Sequence, residues 1–225
     1  MQGDFFLSYP PSDADIAAGR IHGLPNPAQA AFERLRYAVN VWIAGFGTGK
    51  TTGIARVALK AMLENPGSGG MAIAPSYRHT ELMLHAMEEM LERGRIETGV
   101  NLVEHVTRSK GQSVLKLTCG SVAELYTAGS RTSFFGPSKT WVAIDEWEWC
   151  DDPDTILESV IHRLRERTIP GVRTVNYHRV FIASTAQTAS GPLRKMIERA
   201  KRGFNEARLL GRDQGLMETR NIYQC

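Results

Sequence analysis

Nine consecutive residues, Ala44-Gly45-Phe46-Gly47-Thr48-Gly49-Lys50-Thr51-Thr52, limit what this chain can fold into more than any other part of it. They match G-x-x-x-x-G-K-[ST] at every defined place but the first, where Ala44 stands for glycine. The context agrees with the pattern. Residues 39–44 read as a buried strand, and from Lys50 the apolar set Ile54, Val57, Ala58, Ala61 and Met62 recurs at helical spacing up to Glu64. A glycine-rich turn from strand to helix offers successive backbone N–H groups and a positive helix end to an anion. Gly45, Phe46, Gly47, Thr48, Gly49, Lys50, Thr51 and Thr52 are therefore expected to line a phosphate-binding loop for ATP. Lys50 would reach the β- and γ-phosphates, and the Thr51 hydroxyl would ligate Mg2+. The competing reading is a strand-to-helix turn with no ligand.

A second fixed point is the apolar strand 140–144, which runs directly into Asp145-Glu146. Phosphoryl transfer needs a metal to neutralise spreading charge and a group to position or deprotonate the attacking water. Asp145 is expected to hold Mg2+, and Glu146 to act as general base. Taken alone, an acidic pair at a strand end also reads as a cap on the next helix. Asp151, Asp152 and Asp154 suggest either a two-metal cluster or a helix start with Asp152 as N-cap and Pro153 at the first helical position; the helix start, opening 154–167, is the simpler. Trp147 and Trp149 are read as packing residues.

The remaining chain supplies a scaffold for these two points. Helices are expected at 27–38, 77–93 (with Leu82, His85, Met87 and Met90 inward) and 193–204, and strands at 71–74, 113–117, 122–127 and 179–183. Strands alternating with helices predict an α/β fold with a mostly parallel central sheet flanked by helices. Ligands of such sheets bind beyond the carboxyl ends of the strands, where both motifs fall. With 225 residues, 42% of them hydrophobic, one sizeable domain is expected over 27–204, after an arm at 1–26 and before a segment at 205–225. The net charge of +3 permits contact with a polyanion without arguing for one. Cys119, Cys150 and Cys225 lie far apart, and the six histidines show no zinc-ligand spacing, which predicts reduced thiols and no structural metal. No apolar run approaches the about 18 to 20 residues of a membrane span, so a soluble, intracellular protein without a membrane is expected.

Several segments together resemble the ATPase domain of the large terminase subunit, the DNA-packaging motor of tailed bacteriophages. They are Pro25-Asn26-Pro27-Ala28-Gln29 with Phe32, then 44–52, Ala74-Pro75-Ser76-Tyr77, 136–146 and Ser184-Thr185, spread over roughly residues 25 to 200. The resemblance implies a P-loop NTPase of the RecA-like type, whose ATP hydrolysis moves double-stranded viral DNA, without regard to its sequence, into a procapsid. It implies a homo-oligomeric ring on a portal, a small terminase subunit as partner, and the cytoplasm of an infected bacterial host. Gln29 would read the adenine, although an N-cap role or surface exposure fits its residue type as well. Ser184 and Thr185 would couple hydrolysis to DNA movement; they also read as ordinary turn formers. Arg131, within Gly129-Ser130-Arg131-Thr132-Ser133, is the first candidate for the arginine that stabilises the transferring phosphoryl group, within one subunit or across two, and reads equally as a solvated loop residue. Many relatives carry a basic residue where this chain has Phe46. Full-length large terminases continue into an RNase H-like nuclease, so 205–225 would begin the connection to a part absent here, and DNA cleavage is not expected.

Two other functions compete: a helicase-like or other nucleic-acid-remodelling P-loop ATPase, and a nucleotide-binding module that does not hydrolyse. A helicase of that kind needs a second RecA-like domain, and a binding-only site has no need of Glu146. For contact with DNA phosphates the cations Arg163, Arg165, Arg167, Arg194, Lys195, Arg199, Lys201 and Arg202 are available, the last five on one expected helix and its end. A solvated helix face explains that cluster equally well.

Overall fold

The computed structural model describes residues 25–35, 39–129, 138–165, 167–169, 173–175, 178–185, 191–198 and 217–220. Its centre is an eight-stranded sheet. In chain order the strands are β1 (Val39–Ile43), β2 (Gly69–Ala74), β3 (Val103–Thr107), β4 (Gln112–Leu117), β5 (Val122–Thr127), β6 (Trp141–Asp145), β7 (Arg167–Ile169), β8 (Arg173–Val175), β9 (Arg179–Ser184) and β10 (Met217–Arg220). The sheet order is β10-β1-β9-β6-β2-β5-β4-β3, and β7 pairs with β8 apart from it. Pairing is parallel from β10 through β5. β4 and β3 extend the edge antiparallel. The helices are α1 (Pro27–Glu33), α2 (Lys50–Glu64), α3 (Tyr77–Thr98) and α4 (Pro153–Ile161), with a further helical stretch at 192–198. The mostly parallel central sheet flanked by helices that the alternation predicts is the architecture observed.

Both sheet faces are covered, and strand periodicity divides the core between them. One face packs Ala72, Ala74, Ala143, Phe181 and Ala183 under α1, α2 and α3. The opposite face carries Met71, Ile73, Val142, Ile144, Val180 and Ile182, which meet Ile156 and Val160 of α4 and Leu193 and Met196 of the helical stretch. Gly70 belongs to the close-packed face: a Cβ there would lie 1.8 Å from the buried Trp141 ring, so the indole occupies the space a side chain would need. The alanines let α2 lie close to the strands whose ends carry the site.

Several elements differ from their sequence-based limits. α1 stops at Glu33 rather than 38, because the Arg34 N–H turns back to the carbonyls of Ala31 and Phe32. α3 continues past 93 to Thr98, where Gly99 at φ 73 caps it with its N–H on Arg95 O. Its buried residues are Thr80, Met83, Leu84, Met87, Leu91 and Gly94, so of the four expected inward Met87 is buried and Met90 packs partly buried against the core, but Leu82 and His85 do not. Leu82 is 50% exposed, and His85 faces Glu89 at 3.3 Å on the solvent side. α4 ends at Ile161 because the chain returns to Lys139, whose N–H donates to Arg163 O and whose carbonyl accepts from Arg165 N, both at 2.9 Å. β3, β7, β8 and β10 were not expected. β3 is an exposed edge strand with Glu104, His105 and Thr107 on it, the polar composition that protects a sheet edge from further pairing. Cys119 and Cys150 are free thiols. No described helix is long and apolar enough to cross a membrane.

Candidate nucleotide site

Sheet order brings the motifs together. β9 lies between β1 and β6, with Ile43 in register with Ser184 and Asp145 in register with Ala183. The ends of three adjacent strands therefore deliver the glycine-rich loop, Ser184-Thr185 and Asp145-Glu146 to one edge. Ala44 N–H donates to Ser184 O at 3.3 Å, which ties the start of the loop to the middle strand.

Gly45 organises the loop as an acceptor: its carbonyl takes Lys50 Nζ at 2.8 Å and Thr48 Oγ1 at 2.9 Å. Gly49 stands at φ 78 immediately before α2, in the left-handed region that glycine occupies without strain. Lys50 is only 5% exposed and also pairs with Glu146 Oε1 at 3.2 Å. In the next helical position, Thr51 Oγ1 donates to Asp145 Oδ2 at 2.6 Å. The two sequence motifs thus meet through two side-chain contacts. Thr52 is exposed.

Asp145 is fully buried, and burial pushes its carboxyl up to about 6 even though the Thr51 hydroxyl bond opposes the shift. A buried carboxylate beside a threonine hydroxyl is a pair of hard oxygen donors of the kind Mg2+ takes while keeping several waters, so these residues fit that ion. Glu146 sits at φ 45, one of two non-glycine residues at positive φ among those described. Its left-handed backbone costs of order 1–3 kcal/mol and turns its carboxylate back toward β9. There Thr185 holds both oxygens, N–H to Oε2 at 2.9 Å and Oγ1 to Oε1 at 3.1 Å. The buried Ser184 Oγ accepts from Glu148 N at 3.1 Å and secures the turn that follows.

Gln29 lies against the loop, 6% exposed, with its amide engaged at both ends inside the chain. Nε2 donates to Gly49 O at 2.9 Å, and Oε1 accepts from Asn26 N at 2.8 Å. Asn26, to which the sequence reading gives no role, donates Nδ2 to Thr48 O at 3.1 Å. The signal available for it is the pair of amide residues three apart around Pro27, the spacing of a capping box. Asp152 caps α4 through Thr155 N at 3.4 Å, as the helix-start reading expects. Trp147 is buried and bonds Pro153 O, but Trp149 is not a packing residue. It is 50% exposed and meets the 75% exposed Phe46 edge to face, with ring centroids 6.3 Å apart. The Phe46 ring lies 5.6 Å from Lys50 Nζ. Arg131 lies outside the described residues, as do Arg199, Lys201 and Arg202. Arg194 and Lys195 are exposed, and Arg194 pairs with Glu198 at 2.9 Å.

No family model and no curated protein matches this chain. Solved structures do. The large terminase ATPase domain of Thermus phage P74-26 aligns at 17% identity over 91% of this chain and 96% of that one, with a TM-score of 0.51. The large terminase of bacteriophage HK97 aligns at 19% identity over 80% of this chain and 37% of that one, TM-score 0.58. For the large terminase of another, thermophilic bacteriophage the values are 9% identity, 86% and 47% coverage and a TM-score of 0.57. The chain spans less than half the length of the latter two, and its likeness to all three is one of fold.

Proposed function

We propose that this chain binds ATP with Mg2+ at residues 44–52 and hydrolyses it, and that hydrolysis drives translocation of double-stranded viral DNA in a packaging ring. The observation that carries the reading is the double junction between motifs far apart in sequence, Thr51 with Asp145 and Lys50 with Glu146. The fold shared with phage large terminase ATPase domains favours the packaging motor among P-loop ATPases.

Thr51 and Asp145 would hold the ion, which when bound neutralises the charge spreading over the phosphate oxygens. Loop N–H groups receive the phosphates at the positive end of α2. Lys50 exchanges its ion pair with Glu146 for the β- and γ-phosphates, and this frees Glu146 to take a proton from water. The water oxygen bonds to the γ-phosphorus as the bond to the ADP oxygen breaks. Thr185 keeps the Glu146 carboxylate aimed and, with Ser184, stands where loss of the γ-phosphate is felt by β9, the strand that joins the other two. Arg131 is proposed to add transition-state charge from within the subunit or its neighbour. The ring on a portal, the small terminase subunit and the host cytoplasm belong to the same reading.

Steady-state phosphate release with and without duplex DNA tests it. ATP hydrolysis that requires Mg2+ and rises with duplex DNA of any sequence is expected. No hydrolysis under either condition would overturn the enzymatic reading, and hydrolysis indifferent to DNA would overturn the motor.

A further inference from the structure

The N-terminus of α1 turns two side-chain amides toward the phosphate loop, and each donates to a different loop carbonyl. Asn26 Nδ2 reaches Thr48 O at 3.1 Å, and Gln29 Nε2 reaches Gly49 O at 2.9 Å. The opposite ends of the amides hold each other's backbone: Asn26 Oδ1 accepts from Gln29 N at 2.9 Å, and Gln29 Oε1 accepts from Asn26 N at 2.8 Å. This reciprocal cap orients both amide planes. α1 is itself anchored. Phe32 packs on Trp42 at 5.5 Å and on Phe181 at 6.1 Å between ring centroids, and Glu33 pairs with Arg56 of α2. The approach is tight enough that a Cβ on Gly49 would come within 2.7 Å of Gln29 Nε2.

A trans peptide is planar, so a carbonyl and the N–H of the following residue point in opposite directions. Drawing the carbonyls of Thr48 and Gly49 toward α1 therefore turns the N–H groups of Gly49 and Lys50 away from it, free to donate to an anion. We propose that Asn26 and Gln29 are positioning residues for polyphosphate binding, holding two loop peptides in the donating orientation whatever base the nucleotide carries. The proposal rests on the phosphate-loop reading above and extends it to residues that touch no phosphate. A loop ordered before the ligand arrives loses less conformational entropy on binding, and support from a rigid neighbouring element is what keeps such donors in place. Adenine recognition by Gln29 makes a different demand, since it depends on the base and gives Asn26 no part.

The test is the dissociation constants of ATP, GTP and inorganic tripolyphosphate for the parent chain, Asn26→Ser and Gln29→Ala. Serine keeps an N-cap acceptor for α1 but lacks the amide that reaches Thr48. Each variant is expected to weaken all three ligands alike, by about three- to tenfold for one lost hydrogen bond, with the ATP-to-GTP ratio unchanged. Asn26→Ser is expected to melt with the parent. A loss in Gln29→Ala confined to ATP would overturn the proposal, and so would parent-like binding of all three ligands by Asn26→Ser. A parent that binds none of the three would overturn the phosphate-loop reading and this proposal together, whereas binding unchanged in both variants would overturn this proposal alone.

Discussion

The loop at 44–52 and the acidic end of β6 face each other across the same site, but they are shaped by different parts of the chain. The loop is backbone work: Gly45 O gathers Lys50 and Thr48, Gly49 makes the left-handed turn, and two amides of α1 hold the carbonyls of Thr48 and Gly49 from outside. The acidic end is side-chain work. Asp145 is fastened by Thr51, Glu146 by Lys50 and twice by Thr185, and a strained φ of 45 at Glu146 directs the whole arrangement. Backbone donors suit a task that is the same for every nucleotide, the cradling of phosphates. On the proposed reading, a side-chain carboxylate would suit a task with a beginning and an end, the taking up of a proton. The difference predicts that changes in the loop act first on binding and changes around Glu146 act on turnover.

Lys50→Ala should break that division most severely, because Lys50 belongs to both parts. ATP affinity is expected to fall by about tenfold to a hundredfold, as befits the loss of a charged hydrogen-bond donor, and turnover to fall below detection. Equilibrium binding alongside phosphate release checks both. Glu146→Gln isolates the acidic side: ATP is still bound with an affinity near the parent's, while single-turnover hydrolysis falls by at least about a hundredfold. Parent-like turnover there would move the base elsewhere. Thr185→Val keeps the backbone N–H to Glu146 and removes only the hydroxyl bond. A loss of roughly tenfold in kcat with little change in KM is expected, from misaiming of a carboxylate that is still present. A change in KM alone would place Thr185 with the loop instead. The smallest effect is expected of Phe46→Ala. A loop that binds through its backbone should keep its ATP affinity within about twofold when an exposed side chain is trimmed, and a larger loss would give the ring a direct part in binding.

What could be read in advance followed the distance over which each feature is determined. α2 was legible to the residue, since Gly49 starts it and the Pro66-Gly67 turn ends it, both within its own neighbourhood. The buried strands β6 and β9 were legible because continuous apolar runs of that length, with helical segments between them, leave few alternatives. The phase of α3 was legible only in part, with Met87 and Met90 inward as expected but Leu82 and His85 outward, because the helix carries large side chains on more than one row. Only contact with α2 and β5 decides between them. Edge strands such as β3 take their pairing from a partner and carry little apolar signal of their own. At the site, Lys50, Thr51, Asp145 and Glu146 were named from local motifs. The grip of Thr185 on Glu146 spans 39 positions and that of Asn26 on Thr48 spans 22; the capping-box spacing around Pro27 marks Asn26 as a helix cap, but no local pattern announces what either residue grips.

The four tryptophans all lie among the described residues, and they divide unevenly. Trp42, Trp141 and Trp147 are sealed in the core, while Trp149 stands at the surface beside Phe46 at the tip of the loop. Ultraviolet light excites all four indoles, but a quencher dissolved in water collides with the last alone. Water dipoles relaxing around that ring also shift its emission to longer wavelength than that of the buried three. The chain thus carries its own optical reporter at the rim of the 44–52 loop. The difference between parent and Trp149→Phe spectra isolates that signal, and acrylamide quenching recorded during a single turnover would follow the loop tip in time without any attached dye.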